Sequence, residues 1–142
     1  MLRKSTIRTT MIAIATAAAL GVMAVPASAG DGLCAKGYVC GYEHLDFEGG
    51  MFGTQKVTAN WASQGFHNRA TSVSVNGGTC KYTDFYTSWN ILTNSPGGGT
   101  FRLFSRTLMK TNYRDPDLRN GAGDKPGVSF DDNIDATRFT GC

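Results

Sequence analysis

Beyond residue 29 the sequence shows almost no helical periodicity, and this restricts the chain to β-structure. Its apolar residues alternate over short segments broken by Gly, Asn and Pro. Tyr38, Cys40 and Tyr42 fall on one face of a candidate strand by period two. Thr71, Val73 and Val75 share one face of another, with Ser72 and Ser74 opposite, and Asn76-Gly77-Gly78 then turns the chain. Phe101, Leu103 and Ser105 alternate with Arg102, Phe104 and Arg106. Ser95-Pro96-Gly97-Gly98-Gly99 reads as a loop. Asn112 to Val128, with Pro116, Pro126 and three Gly, reads as a long irregular stretch. Many short strands between turn signals predict an all-β sandwich or barrel.

The N-terminus is of another kind. Arg3, Lys4 and Arg8 precede an apolar run from Met11 to Val25 in which only Thr16 is polar, and Ala27-Ser28-Ala29 follows. A basic region, an apolar region and a small-x-small site make a secretory signal peptide over residues 1–29. The run is shorter than the about 20 residues of a membrane span, and Pro26 closes it. The whole chain of 142 residues carries a formal charge of +3. Without the three leader cations, eleven basic residues face eleven acidic ones, so residues 30–142 are neutral. Such a chain has no field to steer nucleic acid or an anionic membrane to it. Its length suits one domain, which the leader directs to secretion and which is expected to be a monomer.

All four cysteines, Cys34, Cys40, Cys80 and Cys142, lie after the leader. An even count in an exported chain favours disulfides. Three pairings are possible. The short spacing of Cys34 and Cys40 favours a tight loop between them, which leaves Cys80 with Cys142. A zinc site is disfavoured, because no CxxC occurs and His44 and His67 are the only histidines. With seventeen Gly after the leader and few aliphatic residues, the core is thin and disulfide staples matter.

Two segments resemble each other within the chain. Cys40-Gly41-Tyr42 matches Cys80-Lys81-Tyr82, and His67-Asn68-Arg69-Ala70-Thr71-Ser72 matches Asp132-Asn133-Ile134-Asp135-Ala136-Thr137. In this register the second copy holds about 25 extra residues, assigned to the Gly/Pro-rich stretch. Tyr42-Glu43-His44-Leu45-Asp46-Phe47-Glu48-Gly49 fits the (Y/F)-x4-(Y/F)-x-G Greek-key signature of the βγ-crystallin superfamily. Gly37 to His44 resembles the opening of secreted actinobacterial proteins of peptidase inhibitor family I36. The resemblance implies an all-β fold with two Greek-key motifs in a βγ-crystallin-like, disulfide-stapled sandwich. The first motif spans about 34–78 and a degenerate second about 79–142. Tyr42, Phe47 and Gly49 are then fold residues: the aromatics pack across a bent hairpin and Gly49 permits its tight turn. In the second copy Thr87 falls where the second aromatic belongs and Trp89 where the Gly belongs.

The same resemblance implies a calcium motif, (N/D)-(N/D)-x-x-(S/T)-S. Residues 67–72 match it at Asn68, Thr71 and Ser72, and His67 departs at the first position. Residues 132–137 match at Asp132 and Asn133, and Ala136 departs at the fifth. No cofactor is required, and calcium is expected to bind weakly, with dissociation constants of roughly 10⁻⁴ M or poorer. No HExxH, G-x-S-x-G, P-loop or EF-hand loop occurs, so an enzyme is not expected. His44 reads as a surface hairpin residue, and Asp131, Asp132 and Asp135 as turn residues or a weak cation site.

By resemblance the expected activity is inhibition of a secreted peptidase, of the metalloprotease class, by a loop held in its bound shape. The candidate inhibitory segments are Asn90–Thr100, with Ile91 and Leu92 at its start, and Asn112–Val128. The alternative is a non-enzymatic, calcium-associated structural, stress or toxin-like module of the same fold. The leader yields the first prediction. N-terminal sequencing of exported protein will read Gly30 first, because Ala27 and Ala29 set the cleavage site; a start before Val25 refutes this.

Overall fold

The computed structural model describes residues 32–142; the signal peptide and its cleavage site lie outside the described residues. Two four-stranded antiparallel sheets face each other. The first joins β1 (Tyr38–Tyr42), β2 (Met51–Thr54), β4 (Ser72–Asn76) and β7 (Arg114–Asp115) in the order β2-β1-β4-β7. The second joins β3 (Thr58–Asn60), β5 (Tyr82–Asn90), β6 (Ser95–Phe104) and β10 (Ala136–Thr140) in the order β3-β10-β5-β6. A two-stranded ribbon, β8 (Gly121–Ala122) with β9 (Lys125–Pro126), one short α-helix, α1 (Arg106–Met109), and two 3-10 turns, Leu45–Phe47 and Ala62–Gln64, complete the described elements.

Each sheet therefore takes three strands from one half of the chain and one from the other. In the first half the chain runs β1, β2, crosses to the far sheet as β3, and returns as β4 beside β1. In the second it runs β5, β6, crosses as β7, and returns as β10 beside β5. The ladders match residue for residue. Tyr38 faces Asn76 and Tyr42 faces Ser72, as Tyr82 faces Thr140 and Tyr86 faces Ala136. Both halves thus share one Greek-key plan, in the all-β sandwich that the alternating segments predict.

This register corrects the one read from sequence. Tyr42 corresponds to Tyr86, not Tyr82, and Ser72 corresponds to Ala136. The Cys-x-Tyr match misled because its cysteines do different work. Cys40 lies inside β1 and bonds Cys34, whereas Cys80 precedes β5 and bonds Cys142. Ser95–Gly99, read as a loop, is the first part of β6. The stretch 112–128 is also more ordered than its composition suggests. It supplies β7, β8 and β9, buries Leu118 and Ala122 completely or nearly so, and bonds Leu118 N–H to the Thr71 carbonyl at 2.9 Å.

Val39, Val73 and Val75 meet Phe85, Phe101, Leu103, Ile134 and Phe139 between the sheets. The aliphatic shortage is made good by rings in sequence: Phe52 on Trp61 at 5.0 Å, Trp61 on Phe85 at 6.2 Å, Phe85 stacked on Phe101 at 4.5 Å, and Phe101 on Phe130 at 4.6 Å. Gly41 admits this arrangement, since a Cβ there would stand 2.7 Å from the Trp61 ring. Trp61 donates its indole N–H to Thr137 Oγ1 at 3.0 Å, so its polar edge is satisfied in the core. The outer face of β1 carries a second cluster of Cys34, Cys40, Tyr42 and Phe47, with Tyr38 and Met51 against it.

The disulfides join Cys34 to Cys40 and Cys80 to Cys142, with sequence separations of 6 and 62. In the chain-entropy model the longer closure stabilises by about 4 kcal/mol and the shorter by about 2 kcal/mol. In urea unfolding, the Cys80→Ser/Cys142→Ser pair will accordingly lose more stability than Cys34→Ser/Cys40→Ser; the reverse order contradicts the assignment of the second bond as the main staple.

Candidate functional site

The two hairpins that correspond under the pseudo-twofold are built differently. In the first, residues 43–50 fold back over β1. Asp46 and Phe47 adopt φ of 54° and 65°, and Gly49 a φ of 77°. A Cβ on Gly49 would lie 2.6 Å from the His44 ring, so both conformation and space require glycine there. Phe47 meets Tyr42 edge-on with centroids 5.6 Å apart. One hydroxyl fastens the fold-back. Ser72 Oγ, fully buried, accepts from Phe47 N–H at 3.1 Å and donates to the His44 carbonyl at 2.7 Å. Ser72, expected as a metal-motif residue, is therefore a hairpin anchor.

At the corresponding place in the second half stands Ala136, which has no hydroxyl. Phe47 is matched by Ile91 and Gly49 by Thr93. The β5–β6 hairpin does not fold back. It runs on past the end of β10, which pairs with β5 only as far as Tyr86. Trp89 faces Pro96 and Asn90 faces Ser95, and the tip is Ile91, Leu92, Thr93 and Asn94. Ile91 is 85% and Leu92 96% exposed. The tip is nonetheless braced. Asn90 Oδ1 accepts from Leu92 N–H at 2.9 Å and Thr93 N–H at 3.1 Å, and Thr93 and Ser95 share a hydroxyl hydrogen bond of 2.8 Å. Farther down, Gly99 N–H donates to Thr87 Oγ1 at 2.8 Å. The other candidate segment, Asn112–Val128, is fastened across the sandwich. Asp124 Oδ1 accepts from Arg102 N–H at 2.8 Å and so covers that part of the β6 edge.

The two loops expected to hold calcium lie side by side. Asn68 N–H donates to the Ile134 carbonyl at 3.4 Å, and Asp132 N–H to the Ala70 carbonyl at 3.0 Å. Asn68 and Asp132 share a φ of 48°, which Asn and Asp tolerate. The equivalent hexapeptides are therefore 67–72 and 131–136, one position earlier in the second half than the sequence match placed them. Asp131 and Asp132 take the first two positions, Asp135 the fifth and Ala136 the sixth. Asn133, expected as a ligand, moves out of the motif positions; it is exposed and corresponds to Arg69. The sequence reads Asp131 and Asp135 as turn residues or a weak cation site, but its alignment leaves Asp131 outside the motif and Asp135 at a variable position, because it has no ladder to fix the register.

Because the loops run antiparallel, the first position of each faces the fifth of the other. At one pole His67 Nε2 stands 2.8 Å from Asp135 Oδ1. At the other, Asp131 and Thr71 hold the corresponding places, and Asp131 Oδ1 is buried without a hydrogen-bond partner. Burial first, then the charges of Asp131 and Glu43, push the Asp132 carboxyl above its ordinary value. Arg69 answers part of this acidity through its ion pair with Glu43. The Asp131 pole thus keeps oxygen donors that suit a hard cation, whereas the His67 pole presents an imidazole nitrogen to one. Among the described residues no three His, Cys, Asp or Glu side chains converge as a metal site.

The model of peptidase inhibitor family I36 matches residues 27–97, half of the chain. The chain belongs to that family. The match ends within β6 and so includes the folded first hairpin and the projecting tip of the second. Two solved structures share the fold. A beta gamma crystallin from Ciona intestinalis aligns with a TM-score of 0.50 and 13% identity over 72% of this chain and 99% of that one. A structure described as "Evolution of the eye lens beta-gamma-crystallin domain fold" aligns at 0.54 and 19% identity, over 77% and 90%. The fold of this I36 protein is that of the βγ-crystallins, and a family of peptidase inhibitors on that fold is not one of enzymes. No curated protein matches the chain.

The anchoring part of Ser72 is open to test. Ser72→Ala leaves the buried Phe47 N–H and the part-buried His44 carbonyl without their partner and will cost about 1–3 kcal/mol in urea unfolding. The Phe47 amide will exchange faster with solvent than in the parent; unchanged protection refutes the anchor.

Proposed function

We propose that the protein inhibits a secreted metallopeptidase by inserting the tip of its β5–β6 hairpin into the enzyme's cleft. Membership of family I36 supplies the inhibitory role and makes a peptidase the partner. Its two disulfides and this family also indicate an extracellular protein. The observation that carries the choice of segment is the exposure of Ile91 and Leu92 on a hairpin braced by Asn90.

An aliphatic pair this exposed gains on leaving water, by about 25 cal/mol for each Å² covered. Bracing the turn beforehand lowers the ordering cost of binding, which is how a rigid inhibitory loop gains affinity. Pro96 opposite Trp89 and the Gly99 to Thr87 bond stiffen the stem in the same sense. An apolar tip suits a cleft whose specificity pocket is apolar. The metallopeptidase class rests on the family resemblance alone. Asn112–Val128 is the weaker candidate, since its Leu118 and Ala122 are buried and its chain is bonded to the sandwich.

The test is an inhibition panel of extracellular metallo-, serine and cysteine peptidases. Inhibition will be confined to metallopeptidases. Leu92→Asp and Ile91→Asp, which alter only exposed side chains, will each weaken it by roughly 30-fold or more, the mark of a hot-spot residue. Circular dichroism and melting will stay as in the parent. Full potency in both variants moves the inhibitory surface elsewhere, and inhibition of another class overturns the choice of target.

A further inference from the structure

Residues 30–142 carry no net charge, but the fold sorts their charges along the sandwich. The start of β1 faces the end of β4, Tyr38 against Asn76, and the start of β5 faces the ends of β6 and β10, Tyr82 against Phe104 and Thr140. These strand ends make one end of the molecule. Lys36, Lys56, Lys81, Arg106 and Lys110 all belong to the segments that close it. Those segments, 33–37, 55–57, 77–81, 105–113 and 141–142, contain no Asp or Glu. Among the described residues none of these cations makes an ion pair. The nearest acid along the strands is Asp84, and Arg102 already holds it at 2.6 and 3.0 Å. Glu43, Asp46, Glu48, Asp131, Asp132 and Asp135 lie in the folded hairpin and loops at the opposite end.

The basic end also exposes apolar side chains on a fixed frame. Val57 is 63%, Leu108 45% and Met109 37% exposed. Buried Asn76 sets α1 in place, its Oδ1 accepting from Thr107 Oγ1 at 2.6 Å and its Nδ2 donating to the Cys34 carbonyl at 3.3 Å. Lys81 is tied in by its N–H to the Gly141 carbonyl at 3.2 Å and by its carbonyl to Ser105 N–H at 2.8 Å. Lys36 and Val57 line one shallow recess with Phe139. Leu108 and Met109 are thus held outward between Arg106 and Lys110.

We propose that this end docks the protein on an anionic lipid surface, with Leu108 and Met109 entering the headgroup layer and the surrounding cations lying on the lipid phosphates. At physiological salt a charge is felt over only about 8 Å, so the potential at a surface follows the nearest groups and not the net charge. Lys and Arg without counter-ions at one end therefore attract an anionic surface although the chain as a whole is neutral. Apolar side chains between cations are the pattern of an interfacial anchor, in which burial of the first and attraction of the second add. A soluble polyanion would engage the cations and leave Leu108 and Met109 in water, and this favours lipid as the occupant. The tip of the β5–β6 hairpin lies at the far end of β5, so a docked chain holds it away from the surface. The proposal is independent of the inhibitory reading.

Co-sedimentation of the secreted protein with vesicles tests it. The vesicles are phosphatidylcholine alone or mixed equally with phosphatidylglycerol, at low salt and in about 0.5 M sodium chloride. The protein will sediment with the mixed vesicles at low salt, less so at high salt, and not with phosphatidylcholine. Lys81→Gln/Lys110→Gln will weaken binding roughly 25-fold, about fivefold for each cation. Leu108→Ser/Met109→Ser, which leaves the charge unchanged, will weaken it roughly tenfold. Arg119→Gln/Lys125→Gln removes as much charge outside the basic end and will bind as the parent does. No binding to the mixed vesicles, or equal binding to phosphatidylcholine, overturns the proposal. An equal loss in the Arg119/Lys125 variant does so too, since binding then follows net charge. Undiminished binding of the Leu108/Met109 variant, with soluble polyphosphate displacing the vesicles, replaces the lipid surface with a polyanion. Head-to-tail association without vesicles, seen by sedimentation velocity at low salt, assigns the basic end to the acidic end of a second copy and likewise overturns it.

Discussion

The sandwich depends on the reciprocal main-chain bonds between residues 67–71 and 131–135. Asn68 bonds to Ile134 and Asp132 to Ala70, while Thr71 N–H reaches the Tyr42 carbonyl as Asp135 N–H reaches that of Tyr86. These bonds tie each half's last strand to its first and each loop to its neighbour. They also satisfy backbone groups that would otherwise be stranded beside a dry core, where each lost bond is costly. Leu118 and Trp61 then close over the loops from opposite sides, bonded to Thr71 and Asp135. The crossed strands β3 and β7 follow from this, since each must reach the other half's sheet for those residues to arrive.

On that symmetric frame the two hairpins differ through few side chains. Ser72 holds the first one folded; Ala136 offers the second no such hold. The aromatic Phe47, which covers Tyr42 in the folded hairpin, is answered by Ile91, which covers nothing and meets solvent. One half is thereby a closed structural unit, and the other projects an apolar tip on a braced stem. A fold that repeats a motif can keep one copy for packing and change the other for contact, because the loops between the copies maintain the frame.

The core achieves cohesion by stacking rings, not by aliphatic bulk. Trp61 is its centre, touching Phe52, Phe66 and Phe85 and bonded to Thr137. The disulfides act where this core is thin: one closes the N-terminal loop onto β1, and the other ties the last residue to the entry of β5.

The sequence by itself determined the class of fold, the first Greek key and the Cys34–Cys40 disulfide, with Cys80 and Cys142 following as the remaining pair. The first three are local: period-two alternation, a turn that demands glycine at position 49, and cysteines six residues apart each act through near neighbours. Tyr42, Phe47 and Gly49 were legible for the same reason. Only the tertiary structure decided how the second half aligns with the first. Tyr82 and Tyr86 lie four apart on one strand, so sequence alone offered two registers, and the ladder to β10 selects the second. With that choice Asp135 came to face His67, Asn133 left the motif, and Ile91 took the place of the second aromatic. Facing positions on paired loops arise from hydrogen bonds between residues more than sixty apart in the chain, and no local pattern encodes such a distance.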